Sequence, residues 1–437
     1  MNIIPKIAKE MQTILTVNAE NRAAEVELIK RKRQITGSTL AQTLIFGWLD
    51  NPDSTLDELT QTAANLGVEI TPQGLDKRFT FQTADFIHLI LKDTVGTLIS
   101  TDPVAIPILN RFNGVYIKDS STVTLPDELG DIWQGCGGRV DRNTKASVKL
   151  HVRVNMSTGG MEGPYLYAGR SQDRSCHFQE EHPPCGSLNI CDLGYFSLVV
   201  MQDMSDHGVF WLSRINTQCS IYHGGDKWDL ADFLKGHENQ SLDVSILLGA
   251  KAQVPCRLLS YPVPASIAAQ RRAKLKAAYK REGKTPSEKH LYLTNWTVMV
   301  TNVPPKELTH KEAFVMYKIR WQIELIFKLW KSYGSIDKWR TQKPARILCE
   351  LYAKLVVVVI QHWILLCGCW HVIQRSPVKA SMLIRSYAKH LLLSFATGSR
   401  KKICEALEII CKHMATKCRM NSRSKKPNAY QLLLGVS

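Results

Sequence analysis

The sequence predicts a mixed α/β protein, with helical flanks around a core of strands and a second, mostly β segment inserted into that core. Three observations predict it. Residues 147–156 alternate Val148, Leu150, Val152 and Val154 against Lys149, His151, Arg153 and Asn155, the period of two that a strand requires. Two short β-rich runs, 115–119 and 187–192, each end in an aspartate, Asp119 and Asp192. The run Tyr317-Lys-Ile-Arg-Trp-Gln-Ile-Glu-Leu-Ile-Phe-Lys-Leu-Trp-Lys331 carries a helical period instead.

A chain of 437 residues is too long for one typical core, so two or three domains are expected. Its hydrophobic content (44%) and charged content (22%) are ordinary for a globular protein. The charge balance is not. Lys and Arg number 56 against 39 Asp and Glu, a formal charge of +17 with a pI near 9.3. Such an excess calls for a polyanionic partner, and nucleic acid is the commonest one inside a cell. An anionic membrane surface would need a basic amphipathic anchor, and no segment reads as one. The most hydrophobic stretch, 355–367, is interrupted by Gln361 and His362 and falls short of the ~20 residues of a bilayer span; it reads as a buried core helix.

Twelve cysteines lack the rhythm of a disulfide scaffold, and the N-terminus lacks the apolar region of a signal peptide, so a reducing cytoplasm and mostly free thiols are expected. Cys176, His177, His182 and Cys185 have the residue types of a zinc site. Adjacent Cys-His is awkward for one tetrahedral ion, however, and Pro183-Pro184 stiffens the approach; a structural zinc is not expected there.

Along the chain, residues 1–105 read as helical. Ser54 is an apt N-cap, with Asp57 and Glu58 in the first turn after it. That helix stops near Gly67, and a second begins at Thr71-Pro72 and runs into Lys77 and Arg78. The pair has the outline of a DNA-binding helix-turn-helix, which a plain helical hairpin shares. Residues 106–215 hold strands at 115–119, 147–156, 165–168, 187–192 and 209–214, with a helix over 196–204. Asp192 and Glu324 are 132 positions apart, more than one crossover needs, so 216–305 reads as an insertion. It carries strands at 242–248, 253–260 and 291–301 and a basic helix at 268–281, where phosphate contact is favoured over a merely solvated face. Residues 306–375 return to the core, and 376–437 form a helical region with a basic tail at 419–426.

At about 100° per residue, Tyr317, Arg320, Glu324 and Lys331 fall within roughly 60° of one another on a helix. Ile319, Ile323, Ile326 and Trp330 project from an adjoining apolar face. A carboxylate between two cations and a phenol, beside a packed face, suits a metal ligand flanked by phosphate-gripping groups. The alternative is a solvated charged face in which Glu324 and Lys328 form an ordinary i,i+4 pair.

The spacing Tyr-x2-Arg-x3-Glu-x6-Lys, with Asp119 and Asp192 upstream, resembles the signature of the IS4 superfamily of DDE transposases over about residues 115–331. The resemblance implies an RNase H-like (retroviral integrase-like) catalytic core with a mostly β insertion, which agrees with three meander strands followed by a strand bearing an acid at its end. It implies that Asp119, Asp192 and Glu324 hold two Mg²⁺ (or Mn²⁺) ions for in-line phosphoryl transfer. Arg320 and Lys331 would grip phosphates and Tyr317 would bond a phosphate near the transposon end. Trp296, 28 residues before Glu324, would stack on a base drawn from the duplex, or else serve as a core Trp of the insertion. Aspartates at strand ends are also turn formers and N-caps. Asp127, Asp131, Asp141, Asp203 and Asp206 compete for the role but stand in polar, loop-like contexts.

The implied protein is a cut-and-paste transposase that binds the inverted terminal repeats of its own insertion sequence and joins the freed 3′-hydroxyls to target DNA. It would work as a homodimer in a synaptic complex, in the prokaryotic cytoplasm with the nucleoid and without a membrane. A hairpin on the transposon end is the second-strand route the family implies. The rival readings are another RNase H-fold nuclease or resolvase and a non-catalytic, transposase-derived DNA-binding protein.

Overall fold

Side-chain hydroxyls start many of the helices. Thr36, Thr55 and Thr309 each close a capping box, accepting from the backbone N–H three residues on while that residue's side chain returns to the cap. The cap expected at Ser54 falls one residue later, on Thr55, because Thr55 has the box partner Glu58. Ser54 is buried and donates its hydroxyl to the Gly47 carbonyl.

The computed structural model describes residues 3–29, 34–136, 145–238, 240–372, 374–420 and 429–436. The basic residues 30–33 and 421–426 and Asp141 lie outside the described residues. The chain opens with α1 (Ile4–Thr13), α2 (Ala19–Glu25), α3 (Gly37–Asp50), α4 (Leu56–Ala64), α5 (Pro72–Asp76) and α6 (Phe81–Val95). Strands β1 (Val115–Leu125), β2 (Ala146–Asn155), β3 (Met161–Ala168) and β4 (Leu188–Cys191) follow, then α7 (Leu198–Asp206) and β5 (Phe210–Arg214). Next come β6 (Ile221–His223), β7 (Asp226–Trp228), α8 (Leu230–Lys235), β8 (Leu242–Leu248) and β9 (Val254–Pro262). After them stand α9 (Ala265–Arg281), α10 (Glu288–Leu293) and β10 (Trp296–Thr301). Helices complete the chain: α11 (His310–Lys318), α12 (Trp321–Ser332), α13 (Pro344–Gly368), α14 (Pro377–Ser386), α15 (Ala388–Ala396), α16 (Arg400–Lys417) and α17 (Ala429–Leu434).

These elements form two compact units. The first comprises Met1–Ala105, Asp119–Ser171 and Trp321–Gln431. Its centre is α13, which packs against α1, α3, α6, α14 and α16. By length and composition α13 could cross a membrane, but 83% of its apolar window is buried inside the protein, as a core helix requires. Within it Lys354, 1% exposed, pairs with Glu350 at 2.7 Å and donates to the carbonyls of Ser335 (3.0 Å) and Lys338 (2.7 Å). The core helix thereby holds the segment that follows α12. The expected second helix of a helix-turn-helix, α5, is a single five-residue turn, and its Asp76 is tied to Lys343 (2.5 Å) and Arg346 (3.3 Å) at the start of α13.

In the same unit β2 lies between β1 and β3, pairing antiparallel with β3. The alternation in β2 suggested one wet face, yet both faces are covered: His151 is fully buried and Arg153 nearly so. Arg153 is paired with Glu162 at 2.5 Å, and the His151 ring meets Tyr167 edge-on.

The second unit comprises Ile106–Lys118, Gln172–Arg320 and Leu432–Ser437. The first residues of β1 pair parallel with β4, and β4 pairs parallel with β5. Then β10 lies antiparallel on β5 and carries β9, β8, β6 and β7 beyond it. The β-rich stretch after Arg214 therefore extends the same sheet through β10. Its core gathers Phe196, Trp211, Phe233, Leu258, Trp296 and Val300.

Candidate active site

The motif segment is not one helix. Helix α11 ends at Lys318, Ile319 and Arg320 make a turn with i→i−3 backbone bonds to Met316 and Tyr317, and α12 begins at Trp321. Tyr317 is thus on α11, Arg320 in the turn, and Glu324 and Lys331 on α12. The common stripe expected of all four residues holds only for Glu324 and Lys331, whose seven-residue spacing returns them to one face. Ile323, Phe327 and Trp330 form the buried side of α12; Ile326 is only half buried.

In the first unit, Asp119 lies within β1, half buried, and its Oδ1 accepts the Ser120 N–H at 2.8 Å. Strand β1 runs six residues past the predicted strand end, so Asp119 is interior to a strand and is not a turn former. Glu324 is half buried in the first turn of α12, where the helix dipole favours a negative charge. Lys331 donates to the Thr122 carbonyl at 2.8 Å, which ties the face of α12 bearing Glu324 to the strand bearing Asp119.

In the second unit, Asp192 leaves the end of β4 in extended conformation (φ −85°, ψ 168°) and is half buried. The Tyr317 hydroxyl donates to Asp192 Oδ1 at 3.4 Å. Burial, then the charge of Asp192, pushes the Tyr317 phenol well above its ordinary range, against the opposing pull of Arg320 and Arg214. Tyr317 therefore stays a protonated donor at neutral pH. The structure puts it on Asp192, where the sequence reading had it on a phosphate.

Arg214 is the residue that sequence reasoning missed. Arg214 ends β5 one residue past the Cys191–Ser213 rung, and its charge, like that of Asp192, acts on the Tyr317 phenol. The available signal was a cation closing the strand Phe-Trp-Leu-Ser-Arg214. Arg214 also acts on Arg271 of α9, whose guanidinium donates to the Trp296 carbonyl at 2.8 Å and to Thr297 at 3.1 Å.

Trp296 is 5% exposed and packed in the core of the second unit. The anticipated Cys/His cluster is also rearranged: Cys176 is buried, with its thiol pushed up by desolvation, whereas His182 is bonded to Asp203.

The family model described as "Transposase DDE domain" matches residues 110–360, more than half of the chain. The chain belongs to the DDE transposase family. It is similar to the transposase for insertion sequence element IS231F of Bacillus thuringiensis subsp. israelensis, 27% identical over 387 residues, covering 80% of this chain and 78% of that protein. It is similar too to the transposase for IS1151 of Clostridium perfringens, 24% identical over 383 residues, covering 81% and 79%. A cryo-EM structure of a piggyBac transposase synaptic complex with hairpin DNA aligns with a TM-score of 0.47 and 10% identity over 98% of this chain and 87% of that one, too weak a likeness to fix a fold.

Proposed function

We propose that this protein is the cut-and-paste transposase of an insertion sequence, built on an RNase H-like core whose β insertion spans 216–305. It binds inverted terminal repeats, cleaves them, and joins the 3′-hydroxyls to target DNA as a homodimer. The observation that carries the reading is the setting of Asp192: a strand-end carboxylate that accepts from a buried phenol, with Arg214 and Arg320 alongside. A second observation supports it. Lys331 is tied to Thr122; seven helical residues separate it from Glu324 and three strand residues separate Thr122 from Asp119, about 10 Å in each case.

Asp119, Asp192 and Glu324 offer only carboxylate oxygens, a donor set that suits Mg²⁺ or Mn²⁺. Two such ions, when bound, supply positive charge for the attacking and departing oxygens of an in-line displacement. The rest falls to the chain. Arg320 presents a planar fork to a phosphate, and Lys331 has two N–H donors left beyond Thr122 for another. Water attacks phosphorus as the P–O3′ bond breaks; in the second reaction the freed 3′-hydroxyl attacks a target phosphodiester in the same manner. Tyr317 fixes the orientation of the Asp192 carboxylate. Helix α9, exposed and rich in Lys and Arg, and the N-terminal helices supply phosphate contacts along the DNA.

A strand-transfer assay tests the reading. Purified protein with Mg²⁺, a terminal-repeat duplex and plasmid target should give joined products. Cleavage with no joining would assign the chain to the nucleases or resolvases instead. Tyr317→Phe keeps the ring and removes one hydrogen bond to a charged group. It should slow nicking about tenfold and raise the Mg²⁺ concentration for half-maximal rate. An unchanged rate and metal dependence would remove Tyr317 from the site.

A further inference from the structure

We infer that His182, Asp203 and His207, with Cys185 as the fourth ligand, form a zinc-type metal site separate from the three motif carboxylates. His182 Nε2 stands 2.6 Å from Asp203 Oδ2, and His207 Nδ1 stands 3.2 Å from Asp203 Oδ1. One ligand atom from each of the three residues lies within 4.8 Å of the others. A tetrahedral ion with bonds near 2.0–2.1 Å holds its nitrogen and oxygen ligands roughly 3.3 Å apart, so the present spacing needs adjustments of about an ångström.

The chain prepares this arrangement from two sides. Asp203 and His207 are four residues apart at the end of α7, and so share a face. His182 comes from the segment before β4, which is stapled to the end of α7 by the Gly186 N–H to Gly208 carbonyl bond at 2.8 Å. Cys185, a free and exposed cysteine, lays its sulfur against Gly208: a Cβ added there would lie 2.7 Å from Sγ. Gly208 has φ +68°, a conformation that favours glycine, and its missing side chain leaves room for the thiol against the residue next to His207.

Two imidazoles, one carboxylate and a thiol select Zn²⁺ or Co²⁺ over Mg²⁺, which takes oxygen ligands. Pro183-Pro184, which made Cys176-His177 an unpromising partner for His182, leaves the route to Asp203 and His207 open. The bound ion would close a loop from residue 182 to residue 203 around Asp192, fixing both flanks of that carboxylate. This inference does not depend on the strand-transfer reading, because its readout is metal binding alone.

The test is titration of metal-stripped full-length protein with Co²⁺ in excess Mg²⁺, in the Glu324→Gln background so that the motif carboxylates do not compete. One Co²⁺ per chain should bind with the visible absorption of a tetrahedral site and a thiolate charge-transfer band. One equivalent of Zn²⁺ should bleach both. Cys185→Ser should lose the charge-transfer band and bind about tenfold more weakly, and His207→Ala, at an exposed position that folding tolerates, at least a hundredfold more weakly. Absence of stoichiometric tetrahedral Co²⁺ in the parent protein would overturn the proposal, leaving an acid–imidazole hydrogen-bond cluster. So would undiminished binding in a His182→Ala/His207→Ala double variant.

Discussion

Glu324→Gln is expected to abolish Mg²⁺-dependent nicking, by at least about a thousandfold, while end binding in a gel-shift assay stays within about twofold. The amide has the size of the carboxylate and keeps the first turn of α12 intact, but it is a poor ligand for a hard cation. Losing metal-assisted charge stabilisation removes several kcal/mol from the transition state, and each 1.36 kcal/mol is about tenfold in rate. On the proposed reading, binding rests on cations that the substitution leaves alone: Arg320, Lys331 and the lysines and arginines of α9. One fewer negative charge beside phosphate will not weaken it. Nicking that survives in the variant would take Glu324 out of the chemistry.

The second large effect concerns stability. Lys354→Met should destabilise the first unit by about 3–5 kcal/mol, because it leaves the Glu350 carboxylate and two carbonyls buried without their partner. Thermal unfolding followed by circular dichroism should fall by on the order of 10 °C. Burial raises the Glu350 pKa and lowers that of Lys354, each opposed by the charge of the other. Without Lys354, Glu350 folds with a pKa above its ordinary 4.5, so it favours the folded state below that value and disfavours it as pH rises. The deficit should therefore grow from pH 4.5 toward neutrality. A second change, Glu350→Leu, should recover more than half of it. A Lys354→Met protein as stable as its parent would show that the buried pair contributes nothing.

What the sequence conveyed well were features that repeat within a few residues. The alternation in β2, the apolar run ending at Asp192 and the basic helix are all local signals, and elements stand at each of them. The core strands and the helices before residue 100 were legible for that reason. What depends on distant partners was not. Arg214 and Asp192 both act on Tyr317, from the ends of two parallel strands separated by α7. His182 meets Asp203 across 21 positions, a pairing that no local pattern displays. The break after Lys318 escaped a reading based on helical period because Ile319 keeps near-helical backbone angles, φ −66° and ψ −20°. Strands β6 and β7, three residues each, are too short for any period to show. Trp296 could be read either way, since a Trp opening a strand suits a core as well as a base; its burial was not legible from the strand alone.

The noncontiguous make-up of the first unit has a consequence for synthesis. Its core helix α13 packs on α1, α3 and α6, whose ends lie 249 to 331 residues before its start (344 − 95 and 344 − 13), so those early helices emerge from the ribosome long before the surface they need. A nascent chain that has been made only as far as α11 already carries Asp119 and Asp192, yet lacks Glu324, Lys331 and α13. On the proposed reading, competence to cut arrives with the last third of translation, and a chain interrupted before it would lack one of the three proposed metal-binding carboxylates.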